Sequence, residues 1–213
     1  CFGEVADLVK ANGVPIYPVA ARLFPLLTET QTPQDVLAVV EQPREEAGFP
    51  SFDKEFCALI LHQLRDPGNL GTIMRTAWAA GVTNLFITPG TVDPYGGKVV
   101  RSSQGGIFNL NLYFQTLESI LEWAGRHGVR VWVGDPRGDQ LYFEQDFTGP
   151  ILFLLSNEAH GFDWTQLDQD WKVEAVRIPV PGGAESLNVS ISAAILIYEA
   201  LRQRLTVRNG DWQ

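Results

Sequence analysis

An α/β fold, with a mostly parallel sheet covered by helices on both faces, is predicted by three features of this 213-residue chain. Apolar runs at residues 56–62 and 151–155 lack the in-out alternation of a strand that faces water on one side, so both of their faces must be buried. From residue 56 onward such runs alternate with segments of helical periodicity, the order that builds a parallel sheet. Three polar motifs follow directly on strand-like runs, and ligands of open α/β sheets bind beyond the carboxyl ends of strands.

The elements follow in order. Residues 14–19 and 36–40 are short apolar runs that read as extended, and residues 20–28 between them have helical character interrupted by Pro25. Together they read as part of a small domain. Residues 41–54 are polar and punctuated by Pro43, Gly48 and Pro50, which predicts an exposed connection. Beyond it come a strand at 56–62, a helix at 70–80, a strand at 84–88, a helix at 117–127, strands at 129–133, 151–155 and 174–179, and a helix at 187–203. The first of these helices carries an apolar stripe of Leu70, Ile73, Met74, Ala77 and Ala80 behind an Asn69 cap. The last has Leu187, Ile191, Ala194, Ile195, Tyr198 and Leu201 at helical spacing, with Ser186 in the capping place. Phe56, Trp132 and Phe153, inside apolar runs, read as core.

Composition narrows the function. A 45% hydrophobic content spread along the chain predicts a globular protein. No apolar run approaches the roughly 20 residues that cross a bilayer and no signal peptide is visible, so a soluble, cytoplasmic protein is expected. Two cysteines make no disulfide framework and no zinc cluster; Cys57 reads as a small buried hydrophobe, and no metal is expected. The net charge of −9 weighs against nucleic acid. Net charge averages over faces, however. Residues 1–50 carry three basic and seven acidic side chains, a balance of −4, whereas residues 51–101 carry five and four, a balance of +1. The surface around the first motif is therefore the least acidic. No G-x-G-x-x-G follows a strand, and Gly97-Lys98 is followed by Val99 with Val92 where the first glycine of a phosphate loop should be, which disfavours nucleotide hydrolases and Rossmann dehydrogenases.

The first motif, residues 66–77, breaks the chain at Pro67-Gly68 and starts a helix whose polar face bears Thr72, Arg75, Thr76 and Ala79. Arg75 there either grips a phosphate or carboxylate in bidentate fashion or is an ordinary solvated arginine. The second, residues 156–161, delivers the Glu158 carboxylate to the sheet edge, to orient Arg75, bind an amine, act as a base, or simply sit in a loop. His160 reads as a loop histidine, and His62 and His127 have less to recommend them. The third, residues 178–188, makes a rigid exit through Pro179 and Pro181, then a flexible Gly182-Gly183 loop before a helix N-terminus with free N–H donors.

In these three motifs the chain resembles the SpoU, or TrmH, family of S-adenosylmethionine-dependent RNA ribose 2'-O-methyltransferases of the SPOUT superfamily. The likeness runs from about Phe56 to Leu205 and includes residues 93–108, with Lys98-Val99-Val100-Arg101-Ser102-Ser103. Residues 1–43 resemble the end of a small RNA-binding domain, truncated here; residues 44–54 are then a linker and 55–213 the catalytic domain. The resemblance implies a carboxyl-terminal trefoil knot, S-adenosylmethionine bound in it, and a homodimer. It puts Asn69 and Arg75 at the reacting ribose with Glu158 in support. Ser156, Asn157, Ile178, Val180, Ser186, Leu187 and Asn188 line the cofactor pocket, and Arg65, Lys98 and Arg101 meet RNA. Ser156 and Ala159 replace glycines usual in the second motif and add β-carbons beside the cofactor. The implied activity is methylation of a ribose 2'-hydroxyl, in ribosomal RNA rather than transfer RNA because the amino-terminal piece resembles that of rRNA-acting members. A base methyltransferase and a non-catalytic RNA-binding or assembly factor are the alternatives.

Overall fold

A computed structural model of the chain describes residues 2–28, 30, 36–43, 48–157, 161–167 and 171–207. Two units divide the chain, residues 1–43 and 44–213. The first contains helix α1 (Phe2–Ala11) and a 3-10 turn at Phe24–Leu27 with Pro25 in its first turn. Its expected extended runs at 14–19 and 36–40 form no strand among the described residues. The helical reading of 20–28 shrinks to the 3-10 turn, because proline interrupts the hydrogen-bond ladder.

In residues 44–213 the elements are β1 (Cys57–His62), α2 (Pro67–Ala79), β2 (Asn84–Ile87), α3 (Gly97–Ser102), β3 (Asn111–Phe114), α4 (Leu117–His127), β4 (Arg130–Gly134), β5 (Gln140–Leu141), β6 (Ile151–Ser156), β7 (Val173–Arg177) and α5 (Val189–Val207). The strands form one seven-stranded sheet in the order β3-β2-β1-β6-β4-β7-β5. Every pairing is parallel, with Cys57 to His62 of β1 in register with Ile151 to Ser156 of β6. All six side chains of β6 are buried, as the continuous apolar run requires.

Alternate residues of each strand feed cores on opposite faces. Leu59, Leu61, Phe153 and Leu155 pack under α2 (Leu70, Ile73, Met74, Ala77) and α5 (Ala193, Leu196, Ile197, Ala200). Ala58, Ile60, Leu152 and Leu154 pack under α4 (Leu117, Ile120, Leu121, Trp123, Ala124). Phe49 stacks on Trp123 with ring centroids 5.2 Å apart, and Pro50 is buried, so the stretch expected to be an exposed connection is partly packed on this second face.

Several local expectations need correction. Helix α2 begins at Pro67 with Asp66 as its cap, the Asp66 carboxylate accepting from the Asn69 backbone N–H at 2.8 Å. Asn69 therefore lies inside the first turn; proline is well suited to the opening helical position, where its missing N–H costs nothing. At α5 the capping side chain is Asn188, whose Oδ1 accepts from the Ser190 N–H at 2.9 Å, rather than Ser186. Strands β3 and β5 and helix α3 have no counterpart in the sequence reading. They are two to six residues long, too short to show a period.

Two close approaches fix the α2 surface. A β-carbon on Gly71 would lie 1.9 Å from Ser102 Oγ and 2.7 Å from the Val99 carbonyl oxygen, and one on Gly106 would lie 3.1 Å from the Met74 carbonyl oxygen. The 97–108 segment thus runs along α2 at backbone contact. At the other end of the sheet, Arg204 of α5 donates to the carbonyls of Glu55, Phe56, Phe147 and Gly149, tying α5 to the starts of β1 and β6. The neighbouring Cys57 thiol is pushed up to about 11, burial outweighing the Arg204 charge, so it stays a protonated packing group. No described helix is long and apolar enough to cross a membrane.

Gly71→Ala must push α3 away from α2. It should lower stability by about 1–3 kcal/mol in urea unfolding, a typical overpacking cost.

Candidate functional site

Three chain segments wall one cleft of about 230 Å³ at the carboxyl edge of the sheet. β6 ends on one wall with Leu155, Ser156 and Asn157, and Gly161 lies just beyond. The exit of β7 supplies a second with Ile178, Val180, Glu185, Ser186 and Leu187. Six of the seven pocket residues expected from the resemblance line it; the seventh, Asn188, caps α5 beside it. Ser156 is buried, and its β-carbon is accommodated at the end of β6. Ala159 lies outside the described residues.

The third wall was missed in the sequence reading. Gly134, Asp135, Pro136 and Arg137 follow β4 and line the same cleft. Asp135 is only 4% exposed. Its carboxylate accepts from the Arg137 backbone N–H at 2.9 Å, from Arg137 Nε and Nη2 at 3.2 Å each, and from Trp164 Nε1 at 2.8 Å. Burial pushes its pKa up, but these donors outweigh burial and hold it below the ordinary carboxylate value. A short Asp-Pro-Arg run was the available signal. Nothing in it announced Trp164 as a partner.

The first motif meets the third through a side-chain hydrogen bond. Asn188 Nδ2 donates to Asn69 Oδ1 at 3.0 Å across 119 residues of sequence, so α2 and the third motif meet at their helix starts. Arg75 is exposed on α2. The would-be β-carbon of Gly106 lies 3.4 Å from Arg75 Cα, and that of Gly68 lies 3.9 Å from Lys98 Cε, so the segment from α3 to Gly106 lies against α2 near both cations. Arg65, Lys98 and Arg101 are all exposed; Lys98 Nζ lies 3.9 Å from the Asp66 carboxylate. Glu158 and His160 lie outside the described residues.

The lining suits a cationic ligand with a flat apolar part. Leu155, Val176, Ile178 and Leu187 give apolar walls, and Ser156, Asn157 and Ser186 give hydrogen-bonding groups. Among the described residues its charged side chains are the Asp135 and Glu185 carboxylates and the Arg137 guanidinium, and Arg137 is already tied to Asp135. Negative charge is thus in excess.

Behind the cleft, His62 ends β1 in register with Ser156, buried, with Nδ1 3.0 Å from Thr88 Oγ1 and its ring edge-on to Phe162 at 5.9 Å. Burial lowers its pKa, opposed in part by the Glu118 charge.

A family model described as "SpoU rRNA Methylase family" matches residues 57–198. The 23S rRNA (guanosine(2553)-2'-O)-methyltransferase RlmP of Bacillus subtilis is 34% identical over 88% of this chain and 73% of that protein. The 23S rRNA (uridine(2479)-2'-O)-methyltransferase of Streptomyces viridochromogenes is 33% identical over 97% of this chain and 73% of that protein. The structure of an AdoMet-bound rRNA methyltransferase from Sinorhizobium meliloti superimposes with a TM-score of 0.81 at 31% identity, over 94% of this chain and 77% of that one. The SpoU methyltransferase AviRb from Streptomyces viridochromogenes, in complex with AdoMet, gives 0.70 at 31% identity over 78% of this chain; this chain spans 64% of its length.

Because the folded state disfavours the His62 proton, the unfolded chain binds more protons as pH falls through about 6.5. Stability should drop over that window and recover above it. Urea midpoints measured from pH 5 to 8 should show this slope, and His62→Gln should flatten it.

Proposed function

The chain belongs to the SpoU rRNA methylase family, and from that membership we propose that it methylates a ribose 2'-hydroxyl in ribosomal RNA, in the cytoplasm, with S-adenosylmethionine as donor. The observation that carries this reading is the meeting of the three motifs: two wall one cleft, and the third is bonded to it through Asn69 and Asn188. Ser156, Asn157, Ile178, Val180, Ser186 and Leu187 hold the donor, with Asn188 fixing the edge of its site. When bound, the donor supplies a methyl group activated by a positively charged sulfur. The excess of carboxylates in the cleft favours that charge.

Asn69 and Arg75 serve the ribose. The Asn188 amide orients Asn69, and Glu158, carried over from its place in the second motif, supports both. Arg75 clamps a flanking phosphate and stabilises the charge that develops on the 2'-oxygen. A guanidinium is a poor proton acceptor, so the hydroxyl proton leaves through water or a transiently neutral Arg75. Arg65, Lys98 and Arg101 extend a basic surface along which the RNA backbone lies, and the strong salt dependence of phosphate contacts follows.

The finer topology belongs to the same proposal. A trefoil knot in the carboxyl-terminal part is supported by the chain's course: β7 lies beyond β4, whereas α5 returns to pack on α2 and β6. Residues 1–43 belong to a small RNA-binding domain, a reading supported by their separation as a unit. A homodimer is supported by Ile191 and Tyr198, seven residues apart on α5, which stay 50% and 48% exposed in the protomer.

Incubation with ribosomal RNA and methyl-labelled S-adenosylmethionine, followed by nuclease mapping, should place the label on a ribose; label on a base would overturn the assignment. Arg75→Lys keeps the charge but loses the planar fork. Turnover with both substrates saturating should fall roughly 100- to 1000-fold while donor affinity holds. In sedimentation equilibrium the protein should run at twice the protomer mass, and Ile191→Asp should halve it.

A further inference from the structure

Among the described residues, Asp135 joins all three walls of the cleft. It belongs to the loop after β4, its backbone N–H donates to the Val176 carbonyl at 3.1 Å at the end of β7, and its carboxylate accepts from Trp164, in the segment after β6. Arg137 closes the arrangement from outside. Its Nη2 lies 3.6 Å from where a β-carbon of Gly161 would be, so the guanidinium that grips Asp135 also covers the glycine of the β6 exit. Gly161 has φ +66°, which suits glycine, and a side chain there would push against the same guanidinium. Trp164 is itself seated edge-on against Phe162, ring centroids 5.2 Å apart, and Phe162 is buried in the α4-side core. Gly138 holds the loop down: a β-carbon there would lie 3.1 Å from Ala175 Cβ of β7.

We propose that Asp135, with Arg137 and Trp164, is a positioning brace that sets the spacing of the cleft walls before the methyl donor enters, and so determines donor affinity rather than turnover. The inference rests on the functional reading above. A cleft made of three loops from separate parts of the chain would otherwise have to be ordered by its ligand, at the ligand's expense in affinity. A carboxylate that is buried and fully engaged removes that cost in advance, because its charged hydrogen bonds cannot be exchanged for water without exposing the loop.

Titration calorimetry with S-adenosylmethionine on the unsubstituted protein, Asp135→Asn, Trp164→Phe and the double variant tests it. Trp164→Phe keeps an aromatic ring beside Phe162 while removing the N–H donor and part of the ring area. Each single variant should weaken the donor Kd by about tenfold with unchanged stoichiometry. The double variant should be no weaker than the worse single, since both break one connection. In methylation assays KM for the donor should rise in step, while turnover at saturating donor and KM for RNA move less than twofold. Unchanged Kd in either single variant, factors that multiply in the double, or a fall in stoichiometry at unchanged Kd would each overturn the brace. An unsubstituted protein that takes up no S-adenosylmethionine would instead sink the functional reading itself.

Discussion

The placement of β6 between β1 and β4 is the constraint on which the rest of residues 44–213 depends. A strand with every side chain buried leaves its peptide groups no water to bond, so it must be paired along both edges. β1 supplies one edge and β4 the other. Its five apolar residues, at about 1.5–3 kcal/mol each, contribute roughly 8–15 kcal/mol of burial, as much as the net stability of a typical domain. That burial pins the strand's end. Ser156 and Asn157 therefore emerge at a fixed point of the carboxyl edge, and the loops after β4 and β7, the strand neighbours on that side, come to rest around them.

Charge is divided in a way the total conceals. The protein carries −9 overall, yet Arg65, Arg75, Lys98 and Arg101, on or next to the packed pair α2 and α3, are all exposed. Among the described residues, the cleft beside them is lined with more carboxylate than guanidinium. An anionic polymer and a cationic small molecule would thus be received on adjoining surfaces of opposite sign. Their separation matters because at physiological salt screening acts within about 8 Å.

What could be read in the sequence was set by length and by locality. β1 and β6 announced themselves as continuous apolar runs and α4 by period, whereas α5 was found as a helix with the wrong stripe: the face it buries is Ala193, Leu196, Ile197 and Ala200, and Ile191 and Tyr198 of the expected stripe stay exposed. Strand β3, four residues long and begun by Asn111, and strand β5, two residues long, exist only because an edge was available to pair with. The motifs pointed to Ser156, Asn157, Ile178, Val180, Ser186, Leu187 and Asn188, of which the first six line the one cleft. Asp135 escaped because its meaning depends on Trp164, 29 residues later, and on Val176 beyond that. Caps were misjudged for a smaller reason: with Asp66 and Asn69, or Ser186 and Asn188, both in reach of a helix start, only backbone geometry decides which oxygen meets the N–H groups.

Arg204 gives the architecture a direction in time. Its four carbonyl partners lie at the starts of β1 and β6, but the guanidinium that satisfies them arrives on the final helix. While the chain is being synthesised, the strands can be made yet their lower rim stays open. Gln203, which bonds both the Gln145 carbonyl and the Phe147 N–H, is delayed with it. Native packing of the sheet therefore waits for α5 to emerge and close back onto strands made earlier, rather than proceeding as each strand emerges.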